Sequence, residues 1–282
     1  MTAGPLIAYS SAGNRTQRSS PEEKTIKGYL ILSEARSGTS WLASLANATG
    51  VMGQCKEWLG TEHYEKPVAE MAPEEFYAAV FDKASTENGR FAIKMFPRHL
   101  HYVRHTLGFD FVRRCVADHS VKIMCLTRRE RLKQAVSFVR SIQTAQWASH
   151  TEKKGEERYD FEALCQAYFY IGRSYMYWES YLQLLGLPHE TFVYEDLIGD
   201  PSAFMNPIRE ALEVDVNTDW KSNFRIQRDE MTEEWMSRFQ SDAQKHDVVA
   251  LSGFERPVGR SPRNLMKFLR KEQLRIPYQP NI

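Results

Sequence analysis

Four short apolar runs, each with the length of a buried strand, recur along the chain between more polar segments. Runs of this length that are bounded by polar or turn-forming residues are typical of strands covered on both faces. We therefore predict four central strands. They span residues 29–32, 91–96, 121–126 and 191–194.

The segments between these runs have the spacing of helices, with apolar residues recurring every three or four positions. An alternation of strands and helices predicts an α/β fold, in which helices flank a central, mainly parallel sheet and form three layers with it. The predicted helices span residues 39–48, 73–83, 160–185 and 204–212, and one more begins near Glu130.

This topology also predicts where a ligand binds. In open parallel sheets, ligands lie beyond the carboxyl ends of the strands. The loops that follow Leu32, Phe96, Leu126 and Tyr194 are therefore expected to open on one edge of the sheet.

The first of these loops has the composition of an anion site. Arg36, Gly38, Thr39 and Ser40 stand where the first strand turns into the first helix. The first N–H groups of a helix have no intrahelical acceptor, and the helix dipole is positive at that end. Gly lets the backbone approach a ligand closely, and Arg suits oxyanions. The loop is not a Walker A motif, because the chain has no Gly-Lys pair there.

Two cations farther along the chain indicate the same kind of ligand. Lys94 lies inside the second apolar run, where an ammonium group is costly unless an anion pairs with it. Arg128 follows the third run, at a strand end where a magnesium-dependent phosphoryl-transfer enzyme would need Asp. Both residues therefore predict an anion at the edge of the sheet.

Composition limits the function further. The net charge of +1 over 282 residues gives no support to general nucleic-acid binding. The four cysteines form no C-x-x-C pair, which is typical of reduced thiols in an intracellular protein. Since no apolar run reaches membrane-spanning length, we expect a cytoplasmic protein. Its predicted parts are a polar tail at 1–26 and one domain at 27–282, which is rich in loops from about residue 250.

Three histidines follow the second strand at spacings that bring a metal site to mind. His99, His101 and His105 are instead predicted on the surface of a helix, because no nearby cluster of Asp, Glu or Cys completes a ligand set. No metal is expected.

The first loop resembles the phosphosulfate-binding loop of sulfotransferases that use 3′-phosphoadenosine 5′-phosphosulfate (PAPS). Residues 35–41 read A-R-S-G-T-S-W, against P-K-S-G-T-T-W in the common form of that loop. Arg in place of Lys is typical of the bacterial trehalose-type (Stf0-type) branch. Further strings are similar to sulfotransferases: Q-A-V-S-F at 134–138, Y-E-D-L at 194–197 and E-W at 234–235.

The resemblance implies a fold like that of the P-loop NTPases. It also implies PAPS as the donor and 3′-phosphoadenosine 5′-phosphate (PAP) as a product. In relatives the first loop holds the phosphosulfate, an Arg and a Ser beyond the third strand clamp the 3′-phosphate, and aromatic residues lie near the adenine. The cofactor-binding residues implied here are Arg36, Ser37, Gly38, Thr39, Ser40, Trp41, Arg128, Ser137 and Tyr194.

The resemblance also implies a general base. Glu57 lies in a G-x-x-x-E-W string, and its counterpart in trehalose-type relatives is the proposed base. Trp58 beside it is expected to exclude water and to raise the basicity of the carboxylate. The alternative for Glu57 is an ordinary solvated loop residue.

A departure from the wider family supports this assignment. Other sulfotransferases carry K-T-H in the second strand, with His as the base, whereas this chain has Met95 and Phe96 after Lys94. Glu57 is then expected to act as the base, with Lys94 and Arg36 as further catalytic residues. The position of Lys94 in its strand favours a role at the bridging oxygen of the donor.

The acceptor stays open: a hydroxyl of a carbohydrate or small molecule, or an amine. Relatives form homodimers, which makes a homodimer an expectation here. The basic segment at 256–259 either covers the 3′-phosphate or is a solvated loop, and a short helix is predicted at 264–271. Two rival functions are a nucleotide-dependent kinase with a divergent phosphate loop and a non-catalytic binder of adenosine bisphosphates.

Overall fold

The computed structural model describes residues 27–147, 152–220 and 230–252. Three predictions concern other parts of the chain, and they lie outside the described residues. They are the polar tail at 1–26, the basic segment at 256–259 and the helix at 264–271.

The core of the protein is a sheet of four parallel strands in the order β2-β1-β3-β4. The strands are β1 Lys27–Leu32, β2 Phe91–Met95, β3 Ser120–Thr127 and β4 Glu190–Val193. Each contains most of one predicted apolar run, and the predicted α/β class is confirmed. Two strand ends were predicted one residue too late: Phe96 is the N-cap of the next helix, and Tyr194 begins a short helix.

Helices fill the connections between the strands, as predicted, and most bounds agree within two residues. Helices α4 and α7 were not predicted. The segment of α4 is short and is interrupted by adjacent charged residues, and α7 begins at the last residue of a predicted strand. The helices are α1 Thr39–Ala48, α2 Pro73–Ala84, α3 Pro97–Leu107, α4 Phe111–Asp118, α5 Arg131–Thr144, α6 Phe161–Leu185, α7 Tyr194–Leu197, α8 Ser202–Leu212 and α9 Glu230–Ala243.

Successive side chains of β1 enter different cores, because neighbouring residues of a strand point to opposite faces. Leu30 and Leu32 pack with α2, α3, α4 and the end of α6. Tyr29 and Ile31 pack with α1 and α8. All four side chains are fully buried, and burial of each contributes about 1.5–3 kcal/mol. The sheet is therefore covered on both faces, which gives the three predicted layers.

The strand order places a crevice beside β1. The chain passes from β1 to β2 on one side and then to β3 on the other, so the direction of winding reverses between β1 and β3. In open α/β sheets, ligands bind at the carboxyl ends of the strands where this reversal occurs. The loops after Leu32 and Thr127 border that point and carry Arg36 and Arg128. In the described part of the chain, every helix is too short or too polar to cross a membrane.

Candidate active site

The carboxyl ends of the strands border one open cavity of about 840 Å³, a volume typical of sites for small molecules and cofactors. The loops after β1, β2 and β3 and the start of α7 all contribute to it. The predicted residues that line this cavity are Arg36, Gly38, Thr39, Ser40, Trp41, Glu57, Lys94, Arg128, Ser137 and Tyr194.

The side chain of Ser37 does not face the cavity, unlike those of the other predicted polar residues of the loop. It is fully buried, and its Oγ lies 2.7 Å from the hydroxyl of Ser33. That hydroxyl also donates to the Leu126 carbonyl in β3 at 2.5 Å. Ser37 therefore braces the loop against the sheet, and any ligand contact from this residue falls to its backbone.

The loop reaches its shape through two left-handed residues. Arg36 has a φ of 63°, and Gly38, the N-cap of α1, has a φ of 96°. No side chain caps the helix, so the amides of Thr39 and Ser40 have no acceptor within α1. Those amides and the positive end of the helix dipole lie at the cavity, where they favour an anion.

Arg36 links this loop to α5. Its Nε donates to Ser137 Oγ at 2.8 Å, and one terminal nitrogen donates to the Trp147 carbonyl at 2.7 Å. Arg128 donates to the Arg36 carbonyl at 3.0 Å. The two guanidinium groups thus lie on the same edge of the sheet and line the same cavity.

The surroundings of Arg36 favour a bound anion. Burial lowers the pKa of Arg36, and the nearby charges of Arg128 and Arg140 lower it further. Among the residues that the structure describes, no carboxylate forms an ion pair with Arg36. Because a partly buried cation among like charges is costly, an anion in the cavity would stabilise this arrangement.

The two consecutive arginines after β3 have different surroundings. Arg128 lines the cavity, whereas the side chain of Arg129 is 61% exposed and forms an ion pair with Asp196 at 2.7 Å. Glu195 holds the turn between them. Its carboxylate accepts from the Arg129 amide at 2.8 Å, the Glu130 amide at 3.2 Å and Arg128 Nε at 3.3 Å. Glu195 and Asp196 therefore act as scaffold residues that hold the turn after β3.

Lys94 connects the loop with Glu57. Its Nζ donates to Ser40 Oγ at 2.9 Å and lies 3.2 Å from Glu57 Oε1. The carboxylate accounts for a lysine inside a buried strand, because an ion pair offsets the cost of burying the ammonium. The sequence indicated an anion beside Lys94, and the structure identifies one as part of the protein.

The pKa of Glu57 departs from expectation. Burial alone raises it, but the charge of Lys94, followed by the effects of His99 and Arg98, outweighs burial and lowers the pKa below the usual range. The prediction that Trp58 makes Glu57 more basic is therefore wrong for this structure. Cations from distant parts of the sequence lie beside Glu57 and decide the direction of its pKa shift.

His99 also departs from expectation, since it is buried, whereas His101 and His105 are exposed as predicted. Its Nδ1 accepts from the Phe96 amide at 3.3 Å, which leaves the proton on Nε2. That nitrogen lies 3.7 Å from Glu57 Oε2. Burial, and then the charge of Arg98, lower the pKa of His99 to about 3, so the ring is neutral at physiological pH.

A neutral buried histidine predicts a loss of stability in mild acid. The pKa of His99 is about 3 in the folded protein and about 6.5 in an unfolded chain. Between these pH values the unfolded chain binds a proton that folded His99 does not. As the pH decreases through this window, the free energy of unfolding should therefore fall by about 1.4 kcal/mol for each pH unit. Urea unfolding from pH 7 to 4.5 measures the slope.

The matched variants are His99→Gln and His105→Gln, which replace a buried and an exposed histidine of α3. We expect a shallower pH dependence in His99→Gln alone. An unchanged slope in that variant would contradict a neutral, buried His99.

Aromatic side chains form another wall of the cavity. The rings of Trp41 and Tyr194 meet edge to face with centroids 5.9 Å apart, and the guanidinium of Arg128 lies 5.1 Å from the centre of the Tyr194 ring. Trp147 lines the same space and is 46% exposed. Such faces suit a flat base or an apolar ring face of a ligand.

The cavity is strongly cationic, although the chain is nearly neutral. Its described lining contains eight Lys and Arg side chains and three Glu side chains. Sequence reasoning missed several of these cations. A signal for some of them was available in the topology. A helix that follows a parallel strand begins at the carboxyl edge of the sheet, so cations near the starts of α3 and α5 are expected at the site. The missed cations are Lys56, Arg98, Lys133, Arg140 and Lys153. In the described ranges, no three His, Cys, Asp or Glu side chains cluster as a metal site requires.

A family model described as Stf0 sulphotransferase matches residues 28–242. No protein with a curated description matches the chain. Three similar solved structures are all of sulfotransferases. One is from Alicyclobacillus acidocaldarius, with 17% identity over 81% of this chain and 96% of that one and a TM-score of 0.43.

The other two are domains of larger proteins. The sulfotransferase domain from the curacin biosynthetic pathway has 14% identity over 86% of this chain and 96% of its own, with a TM-score of 0.39. The domain from the Synechococcus PCC 7002 olefin synthase has 16% identity over 91% and 98%, with a TM-score of 0.38.

Proposed function

We propose that this chain, which belongs to the Stf0 sulphotransferase family, transfers a sulfuryl group from PAPS to a hydroxyl of a carbohydrate or small molecule, or to an amine. One observation carries the proposal. Ser40 of the strand-to-helix loop and the carboxylate of Glu57 lie on either side of Lys94 in a single cavity, which Arg36 of the same loop also lines. The loop fits a sulfated phosphate, and the carboxylate of Glu57 fits the acceptor that receives the sulfuryl group.

The loop residues are proposed to hold the phosphosulfate. The amides of Thr39 and Ser40 and the guanidinium of Arg36 provide donors that are in place before a ligand binds. Donors held in this way stabilise negative charge that develops on the leaving phosphate, because they need no reorganisation during the reaction. The absence of a carboxylate beside Arg36 in the described residues fits a doubly charged ligand.

Arg128 and Ser137 are proposed to recognise the 3′-phosphate, which distinguishes this donor from ATP. Both lie beside Arg36, which already donates to Ser137 Oγ. The hydroxyl of Ser137 is therefore oriented by Arg36 and has its own proton available to donate. Trp41 and Tyr194 are proposed to contact the adenine.

Glu57 is proposed to act as the general base. It accepts the hydroxyl proton as the acceptor oxygen bonds to sulfur and the S–O bond to the 5′-phosphate breaks. Lys94 is close enough to both Ser40 and Glu57 to stabilise charge on the bridging oxygen. The donor supplies the sulfuryl group, and the chain supplies position, charge and the proton acceptor.

We also propose a cytoplasmic enzyme with one catalytic domain at 27–282 that acts as a homodimer. All four cysteines are buried and none forms a disulfide, which supports a reducing compartment. Light scattering of the purified protein tests the dimer.

The proposed function is tested by mixing the full-length protein with PAPS and a panel of alcohols, sugars and amines, and by measuring PAP release and sulfated product. Calorimetry with PAP tests the nucleotide site separately. PAP binding without transfer to any acceptor would favour the non-catalytic binder. Magnesium-dependent turnover of ATP without PAP binding would favour the kinase.

Gly38 gives a test of the loop itself. A Cβ at this position would overlap the Tyr194 ring, and its φ of +96° is unfavourable for any L side chain. We therefore expect Gly38→Ala to weaken PAP binding by about tenfold or more, because backbone strain of about 1–3 kcal/mol is relieved only by moving the loop. Calorimetry measures the affinity.

The matched control is Gly50→Ala at the end of α1. Its φ of +70° is also unfavourable for an L side chain, but a Cβ added there would have no heavy atom within 4 Å. Equal losses of PAP affinity in both variants would show that general strain, and not the shape of the loop, causes the effect.

A further inference from the structure

Arg98, in the first turn of α3, lines the cavity but has no part in the mechanism above. We propose that Arg98 is a positioning residue that holds the carboxylate of Glu57 for proton abstraction, and that the buried carboxylate of Glu34 anchors Arg98. This inference rests on the proposed function, since it concerns the base of that reaction.

Glu34 is an unusual residue for its position. It follows β1 at the start of the anion loop, and its side chain is completely buried. Burial raises its pKa, while the nearby charge of Arg98 acts in the opposite direction. Its Oε1 accepts from the Ala35 amide at 2.8 Å and lies 3.7 Å from Arg98. A carboxylate buried in this way is stable only when paired, and Arg98 is its cationic partner.

Arg98 lies between two carboxylates. One terminal nitrogen is 3.7 Å from Glu34 Oε1, and the other is 3.7 Å from Glu57 Oε2. Its guanidinium also lies over the Phe96 ring, 4.9 Å from the ring centre. The planar fork of Arg can engage two anions at once. A side chain held by a buried acid on one side and an aromatic ring below keeps a defined position toward the acid on the other side.

The two oxygens of Glu57 have different neighbours. Oε1 faces Lys94 of β2, whereas Oε2 faces Arg98 and His99 of α3. The thiol of Cys55, in the segment before Glu57, is also near but fully buried and has a raised pKa. His99 is neutral at physiological pH, so the charged neighbours are Lys94 and Arg98.

These two cations are not equivalent. Lys94 also contacts Ser40 of the anion loop. Bound PAPS would therefore compete with Glu57 for the ammonium group of Lys94. Arg98 is paired instead with the buried carboxylate of Glu34 at the start of that loop. When Lys94 turns to the donor, Arg98 continues to hold Oε2, and Oε1 is left to accept the proton from the acceptor.

The test uses four variants of the full-length protein: Arg98→Met, Arg98→Lys, Glu34→Gln, and the double variant Glu34→Gln/Arg98→Met. The double variant matters because Arg98→Met alone leaves the Glu34 carboxylate buried and unpaired, which is strongly destabilising. Each is measured for thermal stability, PAP affinity, kcat, KM and the pH profile of kcat/KM, whose acidic limb reports the base in the free enzyme.

Arg98→Met is expected to lower kcat about tenfold to a hundredfold, as misplacement of a reacting group does. Its acidic limb should move up by about one pH unit, because a cation beside the carboxylate is lost. Arg98→Lys should restore the position of the limb but only part of kcat, since an ammonium cannot engage both acids.

Glu34→Gln should move the acidic limb in the opposite direction, to lower pH. The amide keeps the shape of the side chain, but Arg98 then has only Glu57 as an anionic partner. Relative to Glu34→Gln, the double variant should show the upward shift and the loss of kcat. A purely structural role for Arg98 would lower stability without moving the limb.

The matched control is Arg114→Met in α4. This arginine is also ion-paired, with Glu74, and lies over an aromatic ring, with Tyr77 at 3.9 Å, but it is outside the cavity lining. It should leave kcat and the pH profile unchanged.

The proposal is overturned if the acidic limb of Arg98→Met lies at the same pH as that of the wild type. It is also overturned if the limb of the double variant lies at the same pH as that of Glu34→Gln. An unchanged limb and unchanged kcat in Glu34→Gln overturn its anchoring part. These failures differ from failure of the proposed function, which would show as no sulfuryl transfer by the wild-type protein.

Discussion

Replacing Glu57 with Gln is expected to lower the turnover of sulfuryl transfer by about a hundredfold or more, because the amide cannot accept the acceptor's proton. The substitution keeps the size of the side chain. It removes one anion between Lys94 and Arg98, neither of which depends on Glu57 alone, since Lys94 also contacts Ser40 and Arg98 also contacts Glu34. Steady-state turnover with saturating PAPS and acceptor measures the effect.

The affinity for PAP should survive this change, or rise, since the cavity loses a negative charge. Glu65→Gln is the matched control, because Glu65 is exposed and lies in the same connection between α1 and α2. Turnover of Glu57→Gln near the wild-type rate would remove Glu57 from the role of base. A parallel loss of PAP binding would show that it acts on the structure of the cavity instead.

Replacing Arg128 with Met is expected to weaken PAP binding by about tenfold to a hundredfold, because a hydrogen bond to a charged group contributes about 1.5–3 kcal/mol. The turn should remain in place, since Glu195 still accepts from the amides of Arg129 and Glu130. Titration calorimetry with PAP and with adenosine 5′-phosphate measures the effect. If Arg128 contacts the 3′-phosphate, the variant loses affinity for PAP but much less for the nucleotide that lacks this group.

Arg129→Met is the control for this prediction, since Arg129 is adjacent in sequence but exposed and paired with Asp196. It should keep the wild-type preference for PAP. An equal loss for both nucleotides in Arg128→Met would place this residue beside the 5′-phosphate instead. An equal loss in both arginine variants would indicate a general electrostatic effect of the cationic cavity.

The strands were predicted closely because their signal is local. A run of apolar residues such as 29–32 is buried on both faces wherever it lies in the sheet, so neighbours far along the chain do not change the assignment. The end of β4 was predicted one residue too late, since Tyr194 is apolar enough to continue a strand. The structure places it in α7, where its ring packs against Trp41 and leaves no room for a Cβ at Gly38.

Most residues predicted for the site line one cavity, but several of its cations and the electrostatics around Glu57 were not predicted. The positions of Arg36 and Arg128 follow from the topology, because parallel strands bring their carboxyl ends together. The neighbours of Glu57 do not follow from it. Lys94 and Arg98 face this carboxylate because of how β2 and α3 pack beside the loop, and together they reverse the expected direction of its pKa.

Two burial states also depended on packing. His99, His101 and His105 were treated alike in the sequence, yet of the three only His99 is buried. It lies on the face of α3 that also buries Leu100 and Val103, whereas His101 and His105 lie on the exposed face. Ser37 is another case, since the left-handed conformation at Arg36 turns the next side chain toward the sheet. The helical period that joins His99 to Leu100 and Val103 was a local signal for the first outcome, whereas the second has no signal in the local pattern.

The amino-acid sequence was sufficient to predict the class of fold, the edge of the sheet that borders the cavity, and Arg36 as the cation of the anion loop. These follow from the period of apolar residues and from residue chemistry, which act over a few positions. Packing was needed to establish the burial of Ser37, the direction of the pKa shift of Glu57, and the series of alternating charges formed by Glu34, Arg98, Glu57 and Lys94. Charge interactions depend on distance in space and on burial, and residues far apart in the chain acquire both only when the strands and helices pack together.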